Sequence, residues 1–255
     1  MFTAEQRAAL RERLVAEARR DPAIGAAALV GSAAGGREDR WSDIDLALAL
    51  APGADRDAVV AAWSALLYED HGAVAHLDVW AGGTLYRVFL LPSTLQVDVS
   101  FWAAEEFRAR GPEFRLLFGA AGEPAPAAPP AAGELVGWGW LYALHARTSI
   151  ARGRLWQAEY MVSGVRERAL ALACLRHGLP AAQGRGMDEL PADVTGPLAG
   201  ALVRALERGE LVRALGVACA ALLREAAAVD AGLAGRLAAP LAELADPPEG
   251  APAGG

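Results

Sequence analysis

Lysine is missing from the chain altogether, so all 24 basic side chains are arginines. Any phosphate must then be met by arginine forks, backbone amides or a metal ion, because no flexible ammonium is available. Cysteine is nearly absent too. Cys174 and Cys219 sit in apolar, helix-like patterns, which excludes a disulfide framework or a Cys-rich zinc site and reads as reduced structural thiol. No apolar run approaches the roughly 18 residues of a membrane span. The opening MFTAEQRAALRERLVAEARR is a charged amphipathic helix with no signal-peptide core, so a cytoplasmic protein is expected. Basic runs are missing as well: the net charge is −7, which disfavours a nucleic-acid partner and tilts a small-molecule partner towards a cation.

What is present amounts to 255 residues, 54% of them apolar, enough for one large or two modest globular domains. An initial helix over 4–20 is stopped by Asp21-Pro22. IGAAALV (24–30) reads as a short buried strand ending at Gly31-Ser32, where Ser32 can cap a brief helix closed by Gly35-Gly36. DIDLALAL (43–50) reads as a strand, and Asp55 caps an amphipathic helix to about Glu69. Three further strands follow, at 73–80, 84–91 and 95–101, the last two joined by Pro92-Ser93-Thr94. GPEFRLLFG (111–119) is expected to cap this domain. The Pro- and Ala-rich GEPAPAAPPAAG reads as a linker, and beyond it the period is helical, near 134–152, 154–177, 196–207, 209–228 and 230–244. The expected class is α+β: a domain with a small mixed sheet over 1–121, a linker over 122–133, an all-α bundle over 134–245 and a disordered tail over 246–255.

Two charges sit awkwardly in this pattern. Asp43 and Asp45 open a strand that is otherwise apolar, and unpaired carboxylates in a sheet core are unfavourable. Strand residues two apart share a face at roughly 7 Å, so the pair offers a carboxylate platform of the kind that two phosphate-bridging divalent ions need. Hard oxygen ligands select Mg²⁺, with Mn²⁺ as an alternative, over zinc. LQVDVSF alternates, placing Gln96, Asp98 and Ser100 on one face, and Asp98 becomes a third ligand if its strand lies beside 43–50. Upstream, Gly31 lets backbone approach a phosphate closely, and the Ser32 hydroxyl adds a donor.

Gly31-Ser32, ten residues, Asp43-x-Asp45 and a later Asp98 together resemble the signature of the nucleotidyltransferase superfamily related to DNA polymerase β. The resemblance implies that Asp43 and Asp45 bind both metals through the triphosphate. It also implies that Asp98 ligates the catalytic metal beside the acceptor hydroxyl, and that Gly31 and Ser32 hold the β- and γ-phosphates. The donor would be a nucleoside triphosphate, taken to be ATP, and a nucleoside monophosphate would pass to a small-molecule acceptor. Family members place a basic residue nearby; Arg37 and Arg87 are the candidates, each also readable as a surface or ion-paired arginine.

The two-domain layout looks like that of antibiotic-resistance nucleotidyltransferases acting on aminoglycosides or lincosamides. In some of these a helical-domain glutamate is the general base. Glu159, on a stripe with Trp156, Ser163 and Arg166, is the residue carried into that role, although Asp98 makes a second base unnecessary. Two alternatives stand beside this reading: a protein-adenylylating, antitoxin-like enzyme, and a nucleotide-binding sensor without turnover. The sequence leaves the acceptor and the oligomeric state open. His76, Asp78, the aromatic WGW of 138–140 and the Gly-rich 184–191 are read as structural.

Overall fold

The computed structural model describes residues 1–246 and separates them into two compact units, 1–127 and 128 onwards. The boundary falls inside the expected linker. Its first half is not free chain, however: the amides of Gly122, Ala125 and Ala127 donate to the carbonyls of Phe107, Ala109 and Arg110. The expected disordered tail begins at Asp246, and its remainder, 247–255, lies outside the described residues. Among the described residues no helix is long and apolar enough to cross a membrane.

The first unit opens with α1 (Ala4–Arg20), started by a Thr3 capping box that satisfies two end amides reciprocally. Strand β1 (Ile24–Val30), the one-turn α2 (Gly31–Ala34) and β2 (Ile44–Leu50) follow. Helix α3 (Arg56–Ala65) is capped by the Asp55 carboxylate, which accepts from the Asp57 and Ala58 amides, and runs on into a wider π turn to Asp70. The strands β3 (Ala75–Ala81), β4 (Thr84–Leu90) and β5 (Gln96–Trp102) form a meander. The segment expected merely to cap the domain is a sixth strand, β6 (Phe114–Phe118), antiparallel to β1. FRLLF has no period-two alternation, so only the open edge of β1 makes it a strand.

The sheet order is β3-β4-β5-β2-β1-β6, with β2 and β5 parallel and every other pair antiparallel. One face carries the main core: Leu46, Leu48, Val97 and Phe101 lie beneath Leu10 and Leu14 of α1 and Val59 and Trp63 of α3. On the other face, small residues of the central strands (Ala26, Ala28, Ala47, Ala49) admit Trp102 and Phe107. Burial is therefore two-sided at the centre of the sheet, which explains the unbroken apolar run of β2.

The second unit contains α4 (Ala132–Ala151), α5 (Leu155–Arg176), α6 (Ala192–Ala199), α7 (Arg208–Val229) and α8 (Ala231–Ala245). Gly153, at φ +68°, separates α4 from α5, so Arg152 ends one helix and the Glu159 stripe begins the next. Helix α6 departs from the expected 196–207. Val194 and Leu198 bury together, which draws the helix start back to Ala192, and Pro197 lies inside it rather than at its head. Residues 184–191 form a turn with a short 3₁₀ segment, Met187–Glu189.

Candidate metal and phosphate site

Register does the assembling. Asp45 is the direct cross-strand partner of Asp98 on the parallel β2–β5 pair, and directly paired residues project from the same face. Asp43 stands two residues before Asp45 and projects likewise. All three carboxylates are half-buried, and each offers an oxygen within 4.8 Å of the others, an arrangement able to hold a metal ion. Gln96, the next residue of that face, donates from Nε2 to Asp98 Oδ1 at 2.9 Å and to Asp43 Oδ2 at 3.3 Å.

The electrostatics of the trio are unbalanced in a way that fits a cation. The Asp98 carboxyl is raised to about 6, first by burial and further by the negative Asp43, against the lowering effect of the Gln96 hydrogen bond. A clustered, desolvated set of anionic oxygens held apart by one neutral amide is the donor set that Mg²⁺ or Mn²⁺ takes. Because the folded pKa lies above the ordinary carboxylate value, ionised Asp98 opposes folding of the metal-free protein. That penalty is absent below about pH 4, grows between pH 4 and 6, and is complete above. Asp98→Asn is therefore expected to raise the Tm of metal-free protein at pH 7.5 by roughly 4 °C, after allowing for solvent screening. At pH 4 it should change little. Scanning calorimetry in a chelator at the two pH values checks this, and an equal shift at both would refute it.

The Gly31-Ser32 corner closes against this trio. Gly31 has φ +63°, a conformation unfavourable by about 1–2 kcal/mol for a residue with a Cβ. A Cβ there would also lie only 2.5 Å from Asp45 Oδ2, so any other residue would strain the backbone and push the Asp45 carboxylate aside. The Ser32 carbonyl accepts from the amide of Arg37 at 3.0 Å, which ties Arg37 to this corner. Its guanidinium is ion-paired with Glu113. Gly31→Ala is expected to lower the Tm by about 5 °C and any triphosphate-dependent activity about 100-fold, since an ångström of displacement at a reacting centre has that effect. Thermal melts and initial rates on the same preparation test both parts.

Not every sequence-predicted residue joins the site. Arg87 pairs with Val99 across β4 and β5, so it projects from the face opposite to Asp98. There its Nε and Nη2 donate to Asp78 at 2.6 and 2.7 Å and its Nη1 to Ser64. It is a structural ion pair, as the sequence pattern also allowed, and the period-two geometry of β4 rules it out of the cluster. His76 likewise has a local partner, the Tyr68 hydroxyl at 2.8 Å. Glu159 belongs to the second unit, where it accepts from Ser163 Oγ at 2.6 Å, and Ser163 accepts in turn from Arg166. This chain accounts for the polar stripe as a local helix network.

One residue of the site's support escaped the sequence reading. Arg7, only 4% exposed on α1, donates to the carbonyls of Asp39 and Ser42 and ion-pairs with Glu38. It thereby fastens the excursion that delivers the chain to Asp43. The available signal was an arginine on the same helical stripe as Leu10, Leu14 and Ala18.

No protein-family model matches the chain, and no curated protein matches its sequence. Among solved structures it is similar to an aminoglycoside 6-adenyltransferase from Bacillus subtilis, at 11% identity and a TM-score of 0.39, over 96% of this chain and 99% of that one. That is a loose likeness of fold.

Proposed function

We propose that the first unit is a divalent-cation-dependent nucleotidyltransferase that passes a nucleoside monophosphate, AMP from ATP, to a hydroxyl of a small molecule. The observation supporting it is the convergence of Asp43, Asp45 and Asp98 within 4.8 Å beside a left-handed glycine in contact range of Asp45. Asp43, Asp45 and Asp98 would hold Mg²⁺, which supplies neutralisation of triphosphate charge and polarisation of phosphoryl oxygen. Gly31 gives a triphosphate tail access to backbone amides, the Ser32 hydroxyl adds a hydrogen bond, and Arg37 is the cation tied to that corner.

The chemistry balances simply. The acceptor oxygen forms a bond to the α-phosphorus, the bond from that phosphorus to the bridging oxygen breaks, and pyrophosphate leaves with the electron pair. The hydroxyl proton passes to the carboxylate of Asp98. The protein's contribution is orientation and fixed charge. Glu159 enters this scheme only through the resemblance of layout.

The test incubates the protein and Mg²⁺ with each labelled triphosphate and a panel of hydroxylated antibiotics, aminoglycosides and lincosamides included. Pyrophosphate release that depends on acceptor supports the reading. Label appearing on a protein favours a protein-modifying enzyme, and triphosphate binding without turnover on any acceptor favours a sensor.

A further inference from the structure

The sheet face that carries the trio continues onto β4 and β3; at one end Thr84 is buried and Tyr86 packs against Trp102, while the rows level with Asp98 and Gln96 stay open. Asp98 pairs with Val88, and Val88 with Leu77, so one row of side chains runs from the carboxylates outwards at about 5 Å per strand. The rows beside it place Tyr86 with Val79 and Gln96 with Leu90. Leu77 is 63% exposed, Val79 45% and Leu90 46%, while Val88 and Tyr86 are half-buried. On β3 and β4, no charged side chain points to this face: the Asp78–Arg87 pair lies on the other. Of the cations near these strands, Arg110 lies at the Tyr86 and Trp102 end and Arg56 over Trp80, on the opposite face. The contrast with the β1 and β2 end is plain, because there Trp102 and Phe107 bury the same face.

Reaction geometry says which side of the trio this shelf occupies. The side follows from the proposed nucleotidyl transfer. The Gly31-Ser32 corner packs on β1 and β2, so a triphosphate tail seated there leaves pyrophosphate on that side. Phosphoryl displacement is in line, which brings the attacking hydroxyl from the opposite side, past Asp98 and over β4 and β3. An acceptor arriving there meets Leu77, Val79 and Val88. A polycation would lose hydration on Leu77, Val79 and Val88, which offer it no carboxylate of their own, whereas an apolar group gains roughly 25 cal/mol for each Å² it covers.

We propose that the acceptor is an amphiphilic alcohol, a hydroxylated molecule with an apolar face that lies on Leu77, Val79 and Val88 and presents its hydroxyl beside Asp98. The negative net charge alone tilts the acceptor towards a cation; the local surface points the other way.

Alkyl β-glucosides test this, because their hydroxyls stay constant while the apolar tail grows. Their binding to the full chain, with Mg²⁺ and a non-hydrolysable ATP analogue present, is followed by methyl-selective NMR. The dissociation constant is expected to fall about twofold per added methylene, half the logarithmic increment of a fully buried one, and so about 30-fold from methyl to hexyl. The Leu77, Val79 and Val88 methyl signals should move. The double variant Leu77→Ser/Val79→Ser, altered only at exposed positions, should flatten the series to within about threefold. Its melting temperature and its affinity for the ATP analogue should match the parent. Affinity independent of chain length overturns the proposal. So does a polycationic aminoglycoside that binds more tightly than hexyl glucoside without moving these methyls, or a parent dimer that the double variant dissociates. Failure of the underlying nucleotidyltransferase reading looks different: the Mg²⁺–ATP analogue then binds neither parent nor variant, and the proposal falls with it.

Discussion

Asp43→Asn and Asp45→Asn are each expected to lower acceptor-dependent pyrophosphate release about 10³-fold while leaving the fold intact. Each change removes one anionic ligand from a set whose oxygens lie within 4.8 Å of one another. A bound cation contributes several kcal/mol of transition-state charge stabilisation, and about 4 kcal/mol corresponds to three decades of rate. The fold should tolerate the loss because both side chains stand at the open end of β2, and Asn keeps their volume. Relief of like-charge repulsion should leave the metal-free variants at least as stable as the parent. The checking measurement pairs initial rates with the Mg²⁺-induced rise in Tm: parent protein should gain stability from Mg²⁺ and both variants should gain much less. Variants that retain more than a tenth of the parent rate would remove the trio from the chemistry.

The second large effect concerns the helical unit. Glu225 on α7 is 2% exposed, and the guanidinium of Arg176 on α5 grips it as a fork, at 2.9 and 3.1 Å. Arg224 lies farther away, at 3.9 Å, and cannot replace that grip. Arg176→Met strands a buried carboxylate, a change that costs about 3 kcal/mol, the low end of the range because the arginine itself is partly exposed. For a unit of this size that is a fall in Tm of about 10 °C. Arg176→Met/Glu225→Leu should recover most of it, since the unpaired charge rather than the lost ion pair does the damage. Circular dichroism melts of the full chain compare the two. A double variant no better than the single one would show that the fork itself, not the stranded charge, supplies the stability.

Much of the fold follows from local pattern. The α+β class, with its mixed sheet followed by helices, was legible in the switch from period-two to period-3.6 spacing after the Pro-rich segment. Caps at Asp55 and the glycine corner at Gly31 could be read from single residues. The elements that were misplaced share a cause. Strand β6 exists only because β1 offers an edge, and α6 begins at Ala192 only because Val194 and Leu198 find a common partner surface. In both, a non-local contact overrides a weak local signal.

The candidate site divides in the same way. From the chain alone come the identity of three carboxylates, the glycine and serine before them, and the expectation that two of the acids share a face, because alternation along a strand is a local property of the backbone. Whether Asp98 joins Asp43 and Asp45 depends on which strand pairs with β2 and in what register, and a slip of one residue would have sent Asp98 to the opposite face. Register also moved Arg87 away and extended an apolar shelf from Asp98 to Leu77, and the packing of α1 buried Arg7 behind the Asp43 loop. Those outcomes belong to the tertiary structure, because the pairing of strands far apart in sequence is selected by how their faces bury together, and no local stretch of sequence holds that information.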